Sequence, residues 1–104
     1  MIKIETIINK LSIKYDDFNW WIPNNLKLFD EELSKEIAVN HPLYNKSMKA
    51  IAKNDRNDSV LFESKDKYYV VHLTWSYNNN SVFLIFKEIN SWDLEFFLEN
   101  DYNF

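Results

Sequence analysis

Not one of the 104 residues is glycine. Such a chain has no residue that enters the left-handed backbone region without steric cost, so its turns must be built from side chains that tolerate it. Asparagine and aspartate do this best, because their short polar side chains hydrogen-bond the neighbouring backbone. They cluster where turns are needed, as "NN" at 24–25, "NDRND" at 54–58 and "NNN" at 78–80. Positive φ is therefore expected within 54–58 and 78–80. The same lack excludes glycine-rich phosphate loops of either the dinucleotide or the P-loop kind, and with them most nucleotide-dependent enzymes. A serine nucleophile on a glycine-flanked elbow is excluded likewise.

Between these turns the apolar period changes from helical to alternating. Ile2, Ile4, Ile7, Ile8 and Leu11 predict a helix over 2–13. Pro23 pushes Ile22 into an extended conformation, so "KYDDFNWWIPNN" is expected to be irregular and anchored by Phe18, Trp20 and Trp21. "FDEELSKEIAV" predicts a second helix with Asp30 as its cap and Leu33 and Ile37 as its stripe. Residues 47–53, 59–64, 67–75 and 81–88 predict four strands, joined by turns short enough for hairpins. "INSWDLEFFLEN" predicts a last helix capped by Asn90 or Ser91. The expected fold is one α+β domain over 1–104. It is a four-stranded antiparallel β-meander, about 47–88, with N-terminal helices and a C-terminal helix packed on one face.

Composition narrows the partner. Twelve basic against sixteen acidic residues give a net charge of −4, and Arg56 is the single arginine. Neutralising phosphates requires the opposite balance, so nucleic acid is disfavoured and a basic protein partner fits better. No cysteine is present, so neither disulfides nor thiolate metal sites exist. The first residues contain no apolar run of signal-peptide type, and no stretch approaches a membrane span. The expected setting is the cytoplasm, with no membrane partner.

"YYVVHLTWS", residues 68–76, crowds a titratable ring, a hydroxyl and an indole into what otherwise resembles a buried strand. Tyr69, Val71, Leu73 and Trp75 would share one face; Tyr68, Val70, His72 and Thr74 would share the other. His41 and His72 are the only histidines, so a ligand set would need carboxylates such as Asp58 or Glu63 to complete it. Nothing has metal-ligand spacing, so no metal and no cofactor are expected. His72 beside Thr74 is read as a hydrogen-bonded structural residue in preference to a catalytic base, with His41 expected close by.

Two other features suit an interface. On an extended chain Trp20 and Trp21 point to opposite sides, so both are buried only if each side is covered, and one is an interface candidate. Asp30, Glu31, Glu32 and Glu36 on the second helix, and Asp93, Glu95, Glu99 and Asp101 on or beside the last, offer anionic patches. Tyr102 is a further aromatic candidate.

The stretch "HPLYNKSMKAIAKNDRNDSVLFESKDKYYVVHLTWS", residues 41–76, resembles a widespread family of small bacterial proteins without assigned chemistry. The likeness rests on "HPLY", "AIA", an aspartate before "VLF", and "VVHLTWS". These motifs place His41, Pro42, Tyr44, Asp58, Leu61, Phe62, His72, Thr74 and Trp75. Family members commonly continue with a charged, proline-bearing segment, where this chain has "YNNNSVFLIFKEINSWDLEFF". In size, charge and composition the chain also looks like immunity proteins of bacterial toxin systems, including contact-dependent growth inhibition. That likeness implies a non-enzymatic binder of a cognate toxin protein, possibly a nuclease. The alternatives are a small enzyme or ligand-binding domain using His41, His72, Thr74 and Asp58 as a pocket, and a homodimeric module paired through an edge strand.

Overall fold

The computed structural model describes residues 4–75 and 84–100. Its elements are α1 (Ile4–Lys14), β1 (Trp20–Trp21), α2 (Lys27–Glu36), β2 (Lys49–Asn54), β3 (Ser59–Ser64), β4 (Lys67–His72), β5 (Phe86–Asn90), a 3-10 turn (Ser91–Asp93) and α3 (Leu94–Glu99). The strands form one antiparallel sheet in chain order, β1-β2-β3-β4-β5. The fold is thus α+β around an antiparallel meander, with five strands among the described residues where four were expected. The added strand is the Trp20–Trp21 pair, lying against Asn54 and Lys53.

The helices cover both faces of the sheet, not one. On one face Ile7, Ile8 and Leu11 of α1 and Leu94, Phe97 and Leu98 of α3 pack on Ala52, Leu61, Tyr68, Val70 and Ile89. On the other, Phe29 and Leu33 of α2 join Leu43 over Ala50, Val60, Phe62, Tyr69, Val71 and Leu73. The physical reason lies in β3 and β4, where "VLF" and "YYVV" are apolar on both sides and need a cover on each. Ala50 and Ala52 share a strand parity yet serve opposite cores. A register break between them, at Ile51, inserts the extra residue that turns the chain over.

The turns depart from expectation. Within 54–58 no residue has positive φ; the asparagines act through hydrogen bonds instead. Asn54 Oδ1 accepts from Arg56 N at 2.8 Å, Asn57 Oδ1 accepts from Ser59 N at 2.8 Å, and Lys53 Nζ donates to the carbonyls of Asn54 and Asn57. These local bonds close the loop without a left-handed residue. The region 78–80 lies outside the described residues. Positive φ falls instead on Lys65 (57°), first of the two residues joining β3 to β4, and on Trp75 (55°). A left-handed first position is what a two-residue hairpin of type II′ demands.

The expected caps also change. Asp30 lies inside the first turn of α2, with Leu26 at the cap position, and its Oδ1 accepts from Ala50 N of β2 at 2.6 Å. Asn90 makes no capping bond; its Oδ1 accepts from Lys67 Nζ at 2.9 Å. α1 and α3 lie side by side, tied by Lys10–Glu95 and Lys14–Glu99 contacts of 2.8 Å and by the Tyr15 hydroxyl on Glu99. β4 ends at His72, so residues 73–75 leave the strand ladder. Among the described residues no helix is long and apolar enough to cross a membrane.

Candidate functional site

The segment from His72 through Thr74 to Trp75, which runs off the end of β4, is held by a defined set of hydrogen bonds. His72 Nε2 lies 3.1 Å from Ser59 Oγ, its cross-strand partner, and the His72 backbone N donates to Ile85 O at 3.0 Å. Ser59 is buried, so this pair ties β3 to β4 within the sheet. His41, also buried, accepts from Leu43 N at Nδ1 (3.1 Å), so Nε2 carries the proton and donates to Leu84 O at 3.0 Å. Its ring also rests against Phe86, with centroids 5.2 Å apart. The two histidines therefore hold successive residues, Leu84 and Ile85, one through its ring and the other through its backbone. His41 belongs to the layer of Leu43 and Phe86, whereas His72 alternates onto the face of Tyr68 and Val70.

A cleft of about 330 Å³ is lined by Asn57, Asp58, His72, Leu73, Thr74, Leu84 and Ile85. It brings together Asp58, His72 and Thr74 of the expected pocket and leaves out His41. Tyr44 lies elsewhere, exposed, on a shallow cavity of about 110 Å³ beside Asp30 and Lys46. Among the described residues no group of three or more His, Asp or Glu side chains is placed to hold a metal ion.

Glu36 overturns its assignment to the surface. It is 4% exposed, and its carboxylate gathers the end of the motif strand. Oε1 accepts from Thr74 N at 2.7 Å and from Thr74 Oγ1 at 2.8 Å, while Oε2 accepts from Trp75 N at 2.8 Å. Burial works to raise the Glu36 pKa, but the hydrogen bonds from Glu32, Thr74 and Trp75 outweigh it and hold the group below the usual carboxylate value. Glu32, one turn earlier, is pushed up to about 7 by its hydrogen bond to Glu36, then by burial and by repulsion from the same group. Trp75 takes the left-handed conformation where Glu36 holds it, its ring edge-on to Phe29 at 6.0 Å.

The other acidic candidates divide. Asp30 is spent on β2, whereas Glu31 is exposed. Glu95 and Glu99 are paired with Lys10 and Lys14; hydrogen bonds from Lys14 and then Tyr15 lower the Glu99 pKa. Asp93 is exposed, and Asp101 and Tyr102 lie outside the described residues. The loop carrying Asp16 and Asp17 docks on the 54–58 turn, through Asp55 N to Asn19 O and Arg56 to Asp17.

The tryptophan doublet alternates, with Trp20 2% exposed in the core and Trp21 48% exposed beside Lys53. Trp20 is therefore removed from the partner-binding set. The partner-binding set expected from sequence left out the two most exposed rings among the described residues, Trp92 at 77%, weighed there as a possible stacking residue and read as core, and Phe96 at 70%. Leu94, Phe97 and Leu98 take the core face of α3, which leaves positions 92 and 96, one turn apart, on the outward side. Helical spacing could have found them, since the apolar residues of "SWDLEFFLE" are too many for one buried stripe.

No family model, no curated protein and no solved structure matches this chain.

Proposed function

We propose that this chain is an immunity protein, a non-enzymatic binder that neutralises a cognate bacterial toxin domain by protein–protein contact. The observation that carries the reading is the outward pair Trp92 and Phe96, two large rings exposed one turn apart with Asp93 between them. Exposed aromatics at that density act as anchors in protein interfaces, where a few buried rings supply most of the binding energy. A net charge of −4 would speed the approach of a basic partner such as a nuclease, while the rings would set its dissociation. The expected test pairs this chain with the product of the adjacent gene. That product should be toxic alone, tolerated on co-expression, and recovered in complex. Trp92→Ala and Phe96→Ala should each weaken the complex by about 2 kcal/mol, roughly thirtyfold in Kd, with unchanged thermal stability. A neighbour that is harmless, or toxic and unbound, rejects the reading.

A second reading, a small ligand-binding or enzymatic pocket, draws on the cleft where Asp58, His72 and Thr74 converge. Replacement of His72 by Gln separates the two, because it would abolish a pocket activity and leave protein binding intact. Self-pairing through β5 is opposed by charge. A symmetric antiparallel pair centred on Lys87 or Glu88 sets that residue opposite its own copy, like charge against like.

A further inference from the structure

The start of β3, the end of β4 and the start of β5 meet around the cleft of about 330 Å³, at the opposite end of β5 from Trp92. Asp58 and Ile85 flank the end of β4 on either side. The Asp58 carbonyl accepts from Leu73 N at 3.2 Å, and the Ile85 carbonyl accepts from His72 N at 3.0 Å. Neighbouring strands lie about 5 Å apart, so these two residues stand about 10 Å apart across the cleft. Between them the lining includes Leu73 and Leu84, which are buried, while Ile85 is 63% exposed.

Asp58 supplies the one carboxylate of this lining. Its backbone is fixed by the bond to Leu73 and by the neighbouring turn, where Asn57 Oδ1 accepts from Ser59 N. Its side chain is exposed and, among the described residues, accepts no hydrogen bond. Lys53 acts on it through space, but the Lys53 ammonium is committed to the Asn54 and Asn57 carbonyls at 2.7 and 2.6 Å. Arg56, in the same turn, is paired with Asp17. A carboxylate is thus held at the edge of an apolar cleft by its backbone alone.

We propose that this cleft binds an organic cation carried on a short apolar chain, an alkylguanidinium or alkylammonium group, with Asp58 as its counter-ion and Leu73, Leu84 and Ile85 against the chain. Each simpler ligand leaves part of the lining unused. An inorganic cation would find a single carboxylate and leave three aliphatic side chains uncovered. An anion would face Asp58, and a purely apolar molecule would strip its carboxylate of water without replacing the lost bonds. An aliphatic stem with a cationic head satisfies both halves, and a guanidinium fits a carboxylate with two parallel bonds. The volume lies at the small end of pockets that take a ligand. The chemistry is binding and not turnover: Ser59, the hydroxyl on His72, is buried, and the Thr74 hydroxyl donates to Glu36. This gives the cleft of the second reading its ligand class, and it uses neither Trp92 nor Phe96, so it stands or falls apart from the toxin-binding reading.

The test is an NMR titration of the intact chain with n-butylguanidinium chloride near pH 7 and low salt, following backbone amides. Saturable shifts should appear at Asn57, Asp58, Leu73 and Ile85, with amides of α1 and α3 unmoved. 1-Pentanol and pentanoate, of similar length but neutral and anionic, should bind at least about tenfold more weakly. Asp58→Asn should weaken butylguanidinium about tenfold and leave the rest of the spectrum in place, because the carboxylate holds nothing in the fold. Ile85→Ser should narrow the preference for butylguanidinium over methylguanidinium. A capped peptide with one central arginine decides the source. Affinity equal to butylguanidinium supports the site with a partner protein's side chain as ligand, and weaker binding supports it with a free small cation. Absence of saturable shifts at the cleft overturns the proposal. Equal binding of pentanol or pentanoate, or an affinity unchanged in Asp58→Asn, overturns it too.

Discussion

Glu36→Ala removes a carboxylate that accepts three hydrogen bonds, at 2.7, 2.8 and 2.8 Å, from Thr74 and Trp75. Bonds to a charged group contribute about 1.5–3 kcal/mol each, though three on one carboxylate give less than their sum. Thr74 and Trp75 are exposed enough for water to take over part of the loss. Two effects offset the remainder: Glu32 no longer faces a negative neighbour, and Trp75 can leave φ 55°. The net expected cost is about 3 kcal/mol, on the order of 15 °C in Tm for a domain of this size. Glu36→Gln retains one acceptor oxygen but turns an amide N–H toward a backbone donor, and should cost about 2 kcal/mol. Urea unfolding of parent and variants at about pH 6, followed by tryptophan fluorescence with unchanged slope m, measures both. A Glu36→Ala chain within about 1 kcal/mol of the parent refutes the reasoning, because a buried three-bond acceptor cannot be that dispensable.

His41→Ala should cost about 2–4 kcal/mol in the same assay, because it opens a cavity and strands Leu43 N–H and Leu84 C=O. His72→Gln keeps a partner for Ser59 and should cost about 1 kcal/mol or less. Lys65→Asn, at φ 57°, should stabilise by about 0.5 kcal/mol, whereas Lys65→Val should destabilise by at least about 1 kcal/mol. The pH profile has a defined sign. A carboxyl raised to about 7 on folding binds more protons folded than unfolded, so its stabilising contribution is present at low pH and lost as pH rises from about 4.5 through about 7. Solvent screening of a partly exposed group reduces that loss to about 1 kcal/mol, and Glu32→Gln should abolish it in unfolding measured across the range.

The order of elements was legible because turn chemistry and period agree over 47–72, where β3 begins and ends as expected and β2 and β4 fall within about two or three residues. β1 was not, since two residues carry no period, and "WW" pairs with β2 only through tertiary contact. The cover on both faces was written in "VLF" and "YYVV", whose apolar residues point both ways, but the expectation of a one-sided antiparallel sheet obscured it. The reversal at Ile51 had no local signal. Glu36 was the hardest residue to place. In the run "DEELSKE" nothing separates it from a solvated acid, because its burial is decided by Thr74 and Trp75, 38 and 39 positions away. The outward position of Trp92 and Phe96 could have been read from helical spacing alone.

The pairing of α1 with α3 joins contacts 85 residues apart, Lys10 with Glu95 and Lys14 with Glu99. One face of the sheet is thus roofed half by the start of the chain and half by its end, while the other is roofed by α2 and its neighbours. During synthesis, α1 emerges first and waits with Ile7, Ile8 and Leu11 exposed until Leu94, Phe97 and Leu98 arrive. The α2 face can close earlier, so the nascent chain should pass through a half-roofed state with one apolar face open. A stop codon or proteolytic nick before α3 would trap that state, giving a chain that keeps its meander and aggregates through the uncovered face.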